Sequence, residues 1–227
     1  MIGDAGVLVI DTRASAGEGD ELRHDLRRLD PRPPRWVVNT HDHFDHIAGN
    51  VSLVPPAEVW AHPSVASPAA TQPVERAVVA DLGDRCVILR HLGRGHTAGD
   101  IVATVADAGV TFAGDLVEES GPPSYGDDCF PLDWPVTNAR LLGLVREGDR
   151  VVPGHGAPVD RAFVARQQRS LDEVARTIRH LWVGEVPVGE ALAAGGAKWP
   201  FPPDGLAVAV RLGFAELDVS AARDSGG

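Results

Sequence analysis

The stretch N-T-H-D-H-F-D-H-I-A-G-N, Asn39 to Asn50, decides how the rest of the chain is read. It sets His41, His43, Asp45 and His46 within six residues, directly behind the apolar run Trp36-Val37-Val38. Imidazole nitrogen and carboxylate oxygen are the donor atoms that suit a borderline divalent ion such as zinc. A histidine met singly is an ordinary solvated residue. Four potential ligands packed behind a strand point to a metal at the strand's end.

Outward from that loop, Val7-Leu8-Val9-Ile10 is a β-branched apolar run that predicts a buried strand ending on Asp11-Thr12. Glu18 to Leu29 carries Leu22, Leu26 and Leu29 at helical spacing, and Pro31, Pro33 and Pro34 close it, so it reads as an amphipathic helix. Trp36 to Val38 predicts a second strand and Glu58 to Ala61 a third, the strand, helix, strand alternation of a layered fold. Pro63 to Val79 reads as a loop with some helix toward its end. Arg85 to His91, Ile101 to Ala106 and Val110 to Ala113 read as strands, with Cys86 buried in the first and Asp107-Ala108-Gly109 as a turn between the last two. Pro122 to Trp134, with its prolines and acidic pair, reads as an ordered surface loop. Val136 to Arg146 is helical in pattern and Arg150 to Val152 is a strand. Arg161 to Val183 is the longest helix candidate, and two short helical patterns follow between Pro187 and Val219.

The whole chain, 227 residues with 44% hydrophobic content, suffices for one substantial core. A single domain over 1–227 is expected, with 157–227 its mainly helical C-terminal part. No apolar run reaches eighteen residues and no signal-like segment opens the chain, so a cytosolic location without membrane contact is expected. The two cysteines, Cys86 and Cys129, have no CxxC spacing and are expected to be reduced. A net charge of −11 disfavours nucleic acid as a partner, because such binding draws on clustered Lys and Arg. A small molecule is the expected substrate.

Three further donors share one kind of address, a small-residue turn after a strand. They are His96 in Gly93-Arg94-Gly95-His96-Thr97, Asp115 in Phe112-Ala113-Gly114-Asp115, and His155 in Val151-Val152-Pro153-Gly154-His155-Gly156. Glycine beside a ligand lets backbone approach closely. Strand ends on one edge of a sheet can converge on one point.

The ordered set H-x-H-x-D-H, G-H-T, G-D and P-G-H-G resembles the metallo-β-lactamase-fold hydrolase superfamily from Val7 to about Val183. The resemblance implies an α+β fold, a four-layer αβ/βα sandwich with metals at one edge. It implies that His41, His43 and His96 hold one ion, that Asp45, His46 and His155 hold another, and that Asp115 bridges them. Members usually carry a further strand or two at the start, and only Met1 to Gly6 precede Val7, so the first sheet is expected to be short by about one hairpin. An exposed edge of that kind invites cover by the chain's own tail or by a second copy, a homodimer that light scattering would test.

The implied cofactor is two zinc ions, with iron or manganese as alternatives. Asp45, Asp115 and a hydroxide would reduce their charge to roughly +1, which favours an incoming carbonyl oxygen and hydrolysis by metal-bound hydroxide. Asp45 and Asp115 are the catalytic candidates, with Asp45 orienting the hydroxide and accepting its proton. Class B β-lactamases lack the bridging aspartate, which argues against a dedicated lactamase. His43 stands where di-iron members usually have glutamate, which favours zinc. Nuclease members commonly bring exosites that this chain lacks. The likeness is to glyoxalase II-like thioesterases and lactonase-like members, acting on a small ester, thioester or lactone, although no basic cluster for glutathione is evident. The competing readings are a mononuclear iron persulfide dioxygenase and a non-catalytic metal-binding module; structural zinc sites more often close their shell with cysteines.

Asp11 and Asp100 are candidates to orient ligands by hydrogen bonds, with Thr40 and Thr97 bracing their loops. Tyr125, Phe130 and Trp134 are candidates for substrate contact, Tyr125 as donor to an oxyanion. Arg94 is expected to point away from a cationic centre. His24, His62, His91 and His180 fall outside the motif set.

Overall fold

The computed structural model describes residues 1–65 and 70–225. Ile2–Gly3 (β1) turns back antiparallel on Gly6–Ile10 (β2). Ser15 then starts helix Ala16–Leu29 (α1): its hydroxyl accepts from the Glu18 amide, and the Glu18 carboxylate accepts from the Ala14 amide and the Ser15 hydroxyl. Such a reciprocal cap satisfies donors that a helix start leaves open. The chain returns as Pro34–Val38 (β3), parallel to β2, passes through the single turns Phe44–Ile47 (α2) and Asn50–Leu53 (α3), and adds Glu58–Ala61 (β4) parallel to β3. Ala70–Pro73 (β5) completes a sheet of order β1-β2-β3-β4-β5.

The second sheet is built from Ala77–Asp81 (β6), Cys86–His91 (β7), Ile101–Val105 (β8) and Val110–Glu118 (β9). After helix Trp134–Leu142 (α4) it gains Arg150–His155 (β10) and Val159–Asp160 (β11), in the order β11-β10-β9-β8-β7-β6. Helices Arg161–Val183 (α5), Val188–Gly195 (α6) and Ala207–Ser225 (α7) follow.

Alternation along the strands sorts side chains into layers. Leu8, Trp36 and Val38 meet Leu82, Val87, Leu89, Ile101 and Ala103 between the sheets. Their neighbours Val7, Val9, Val37 and Val59 face the other way, under Leu22 and Leu26 of α1. On the far side Val102, Leu116 and Val151 pack beneath Leu141 of α4, Val164 and Leu171 of α5, and Ala209 and Phe214 of α7. The result is the αβ/βα sandwich that the motifs imply.

Three readings are corrected. Between Pro63 and Val79 the described residues form strands, not helix: β6 pairs antiparallel with β7, Val79 opposite Ile88, where its β-branched residues suit an edge; residues 66–69 lie outside the described residues. Cys86 is exposed, because the same alternation that buries Val87 and Leu89 turns Cys86 outward. Strand β9 runs on to Glu118, so Asp115 lies within a strand and not in the turn after one. At the N-terminus β1 is a strand of two residues, Ile2–Gly3.

Topology gathers the ligand-bearing segments. Strands β9 and β10 are parallel, and β8 runs antiparallel to both β7 and β9. The C-terminal ends of β7, β9 and β10 therefore share one edge. The loop holding His96, the end of β9 with Asp115, and His155 at the end of β10 meet there, facing the loop that leaves β3.

Candidate metal centre

The opening loop is stapled at its ends. Asn39 and Asn50 exchange side-chain amide hydrogen bonds of 3.2 and 2.8 Å, both are buried, and the Thr12 hydroxyl donates to Asn50 Oδ1 at 2.9 Å. Gly49 packs so tightly on the Thr12 carbonyl that a Cβ there would overlap it. The loop is thus pinned to the end of β2, and His41, His43, Asp45 and His46 project from a fixed frame.

Two clusters result. His41, His43, His96 and Asp115 form one, and Asp45, His46 and His155 the other. In the first, His43 Nδ1 lies 3.1 Å from His41 Nε2 and 2.9 Å from His96 Nε2, while Asp115 Oδ2 is 3.8 and 3.4 Å from those two Nε2 atoms. In the second, His46 Nε2 is 3.3 Å from His155 Nε2, and Asp45 Oδ2 is 3.5 and 3.0 Å from these nitrogens. Asp115 reaches this cluster too, Oδ1 at 3.2 Å from His46 and Oδ2 at 3.5 Å from His155.

The outward ring nitrogens show which way each imidazole donates. His46 Nδ1 donates to Asp11 Oδ2 at 2.8 Å, His96 Nδ1 to the Ser124 carbonyl at 3.1 Å, and His43 Nε2 to Asp128 at 3.1 Å, since these partners are acceptors only. The Thr40 hydroxyl gives its hydrogen to Asp11 Oδ2 at 2.7 Å, so its lone pair accepts from His41 Nδ1 at 3.0 Å. With these hydrogens directed outward, the inward nitrogens present lone pairs to one another. Around a tetrahedral ion with bonds near 2.0–2.1 Å such nitrogens sit roughly 3.3 Å apart. The donor set therefore fits a divalent ion in each cluster. Asp115 Oδ1 supports the fit: it is buried and has no hydrogen-bond donor, although His46 Nε2 lies 3.2 Å away.

Asp11 anchors both clusters. Its Oδ2 serves His46 directly and His41 through Thr40, and its Oδ1 accepts the Thr40 amide at 2.8 Å. Its φ of 56° is a left-handed conformation that Asp and Asn tolerate better than most residues. Asp100 acts one step further out, both of its oxygens accepting the Thr97 amide and one the Thr97 hydroxyl, which shapes the turn after His96.

The electrostatics divide along the same line. Burial holds the His41 imidazole well below its ordinary pKa and His96 down to about 4, and neighbouring histidines add to both effects. Burial would lower His46 as well, but the carboxylates of Asp11 and Asp115 outweigh it and raise this group to about 10. Burial likewise opposes ionisation of Asp115, yet the adjoining imidazoles of His46, His41 and His96 bring it below the usual carboxylate range. Full burial raises Asp100 to about 8 against the hydrogen bonds from Thr97.

The clusters differ in access: His41 and His96 are buried, whereas the side chains of Asp45 and His155 are 27% and 40% exposed. A cleft of about 500 Å³ opens on the second cluster, lined by Asp11, Arg13, Glu18, Asp45, His46 and His155 among others. It lies on the α1 side and not under the Pro122 to Trp134 segment. Trp134 is wholly buried, its indole N–H donating to the Leu116 carbonyl at 3.2 Å, and its ring meets His96 edge-on at 5.4 Å. Tyr125 is buried against Trp134 with its hydroxyl unpartnered. Both back the site from the core, so neither serves as a substrate contact or oxyanion donor; the apolar spacing of the loop places them inward. Phe130 lies beneath the Arg94 guanidinium at 4.2 Å, and Arg94 is paired outward with Asp133, away from both clusters. Sequence reasoning missed Asp128, Ser124 and Arg13: the acidic pair Asp127-Asp128 was a visible signal, but a carbonyl partner and a cleft wall have none.

A sandwich with paired histidine and carboxylate clusters at a common sheet edge defines a metal-dependent class of protein. The chain belongs to the metallo-beta-lactamase superfamily, whose family profile matches residues 1–175. The 2,4-dinitroanisole O-demethylase subunit alpha of Nocardioides sp. (strain JS1661) is 28% identical over 166 residues, covering 67% of this chain and 50% of that protein. The chain thus spans half the length of this curated relative. Among solved structures, a metallo-beta-lactamase from Pontibacter korlensis aligns with a TM-score of 0.67 at 22% identity, over 75% of this chain and 84% of the other. The metallo-beta-lactamase FIM-1 from Pseudomonas aeruginosa, in its mono-zinc form, aligns at 0.66 and 20%, over 75% and 80%. At such identities these likenesses concern the fold. Among the described residues no helix is long and apolar enough to cross a membrane.

Proposed function

We propose that the chain is a dinuclear zinc-dependent hydrolase of a small ester, thioester or lactone. The observation that carries this reading is the position of Asp115, whose carboxylate stands within 3.2 to 3.5 Å of His46, His96 and His155, histidines of both clusters. One carboxylate so placed suits two ions sharing a ligand. Bound there, divalent ions supply Lewis acidity and lower the pKa of water to near 7.

The chain's own contribution is positional. Asp11, Thr40, Asp128 and the Ser124 carbonyl hold the imidazole rings by their outward nitrogens. Asp45, partly exposed beside His155, stands where it can take a proton from attacking water and return it to a leaving group. The cleft's volume suits a small substrate. Arg13 is the only arginine or lysine among its described lining residues and is held loosely, 3.6 Å from Glu21, so it is available to a substrate carboxylate. Both cysteines are unpaired, which suits a cytosolic setting.

The contrast in enclosure between the clusters favours one second reading, a mononuclear iron persulfide dioxygenase using the buried histidines. Metal analysis joined to a substrate screen separates the two. The panel holds thioesters, lactones, β-lactams, phosphodiesters and, because of the relative's name, 2,4-dinitroanisole. Two zinc ions per chain with acyl-bond cleavage is the expected result. A single iron with persulfide-dependent oxygen consumption overturns it, and turnover of 2,4-dinitroanisole alone moves the reading from acyl bonds to aryl ethers.

A further inference from the structure

We propose that Glu118 is a third carboxylate ligand of the metal centre, joining His155 and Asp115 at the open half-site and weakening that half-site's preference for zinc over manganese(II). This rests on the metal reading given above. Nothing in the motif set includes Glu118; the placement of the residue does.

Asp115, Glu118 and His155 each offer a ligand atom, and the three lie within 4.8 Å of one another. In a regular strand residues three apart face opposite sides of the sheet. Here the ladder between β9 and β10 slips: Pro153 pairs with Gly114 and His155 with Glu118, so β9 advances four residues while β10 advances two. The surplus residues in β9 turn Asp115 and Glu118 toward the same histidine. The backbone is fixed in this form, since the Glu118 amide donates to Gln167 Oε1 at 3.0 Å from the neighbouring helix α5.

The side chain is only 6% exposed. Its Oε1 accepts from the Ser120 amide at 3.0 Å and from the Ser120 hydroxyl at 2.6 Å. Among the described residues no donor reaches Oε2, and no arginine or lysine pairs with the carboxylate. An anionic oxygen left without a donor among other ligand atoms offers a cation a place to bind. Asp115 Oδ1, close by, is buried without a donor. The carboxylates of Asp115 and Glu118 beside His155 make a hard, oxygen-rich end to the half-site. Carboxylates suit manganese and magnesium, whereas imidazoles suit zinc, so a third carboxylate shifts selectivity toward the harder ion.

The test uses the full chain, wild type against Glu118→Gln and Ser120→Ala, with zinc and manganese(II) titrated separately under chelator competition and circular dichroism as a check on folding. Glutamine keeps the side-chain length and an oxygen for Ser120, so the turn survives and the charge is lost. Expected for Glu118→Gln is one tightly held ion per chain, with the dissociation constant of the second raised about tenfold to hundredfold, more for manganese than for zinc, and loss of the spin-coupled dimanganese signal in electron paramagnetic resonance. Ser120→Ala should keep both ions. Unchanged affinities for both metals in Glu118→Gln overturn the inference alone, as does Ser120→Ala reproducing the loss, which would show that Glu118 acts only through its turn. A wild-type chain that takes up no second ion overturns the dinuclear reading and this inference together.

Discussion

Asp11→Asn is the perturbation that tests the architecture of the centre most directly, because one carboxylate there accepts three hydrogen bonds, from the Thr40 amide, the Thr40 hydroxyl and His46 Nδ1. Asparagine fits the left-handed backbone at this position as aspartate does, so strain does not confuse the result. The amide has one acceptor oxygen. If that oxygen faces His46, the NH2 confronts the Thr40 amide and leaves a buried donor unsatisfied, costing about 1–3 kcal/mol. If the NH2 faces His46, it donates to Nδ1 and moves the ring proton to Nε2, the atom directed at the metal. Either outcome should weaken the second ion about tenfold to hundredfold, and the first ion less, since His41 feels Asp11 only through Thr40. Equilibrium dialysis against buffered zinc, read as ions per chain, checks this. Two ions bound with affinities within about twofold of wild type, where ~10–100-fold is expected, would refute the anchoring role.

Other outcomes follow from the same geometry. Asp115→Ala should remove metal and nearly all turnover while the chain stays folded; full turnover would end the bridging assignment. In chelator, wild type should lose stability as pH rises. His46 is raised from its ordinary 6.5 to about 10, so its contribution is complete below pH 6.5 and disappears as pH climbs through 10. Asp11→Asn should flatten that part of the profile, and urea midpoints at both ends of the window, falling equally in both proteins, would contradict it. Tyr125→Phe removes a buried hydroxyl that has no partner, so stability should hold or rise by up to about 1 kcal/mol and turnover should persist. A large fall in kcat would return Tyr125 to the reaction.

How much of this was legible in the sequence depends on the kind of signal. The strands Val7 to Ile10 and Glu58 to Ala61 and the helix Arg161 to Val183 announce themselves by apolar period and by proline or glycine at their ends, which are local properties. The edge strand β6 does not, because its residues become a strand only by pairing with β7. Tyr125 and Trp134 misled for a related reason: an aromatic in a proline-rich loop looks available until the core that covers it is known.

By itself the sequence determined the family, the sandwich and the candidate donor atoms, since residue type and glycine-bordered spacing are covalent facts that survive any packing. Only the tertiary structure decided which donors meet. Parallel and antiparallel pairing brings the ends of β7, β9 and β10 to one edge, the slip between β9 and β10 turns Glu118 beside His155, and the left-handed residue Asp11 ties both clusters to a single carboxylate. These are contacts between segments as much as a hundred residues apart, as between His46 and His155. Their geometry is set by strand register and burial, which no local pattern encodes.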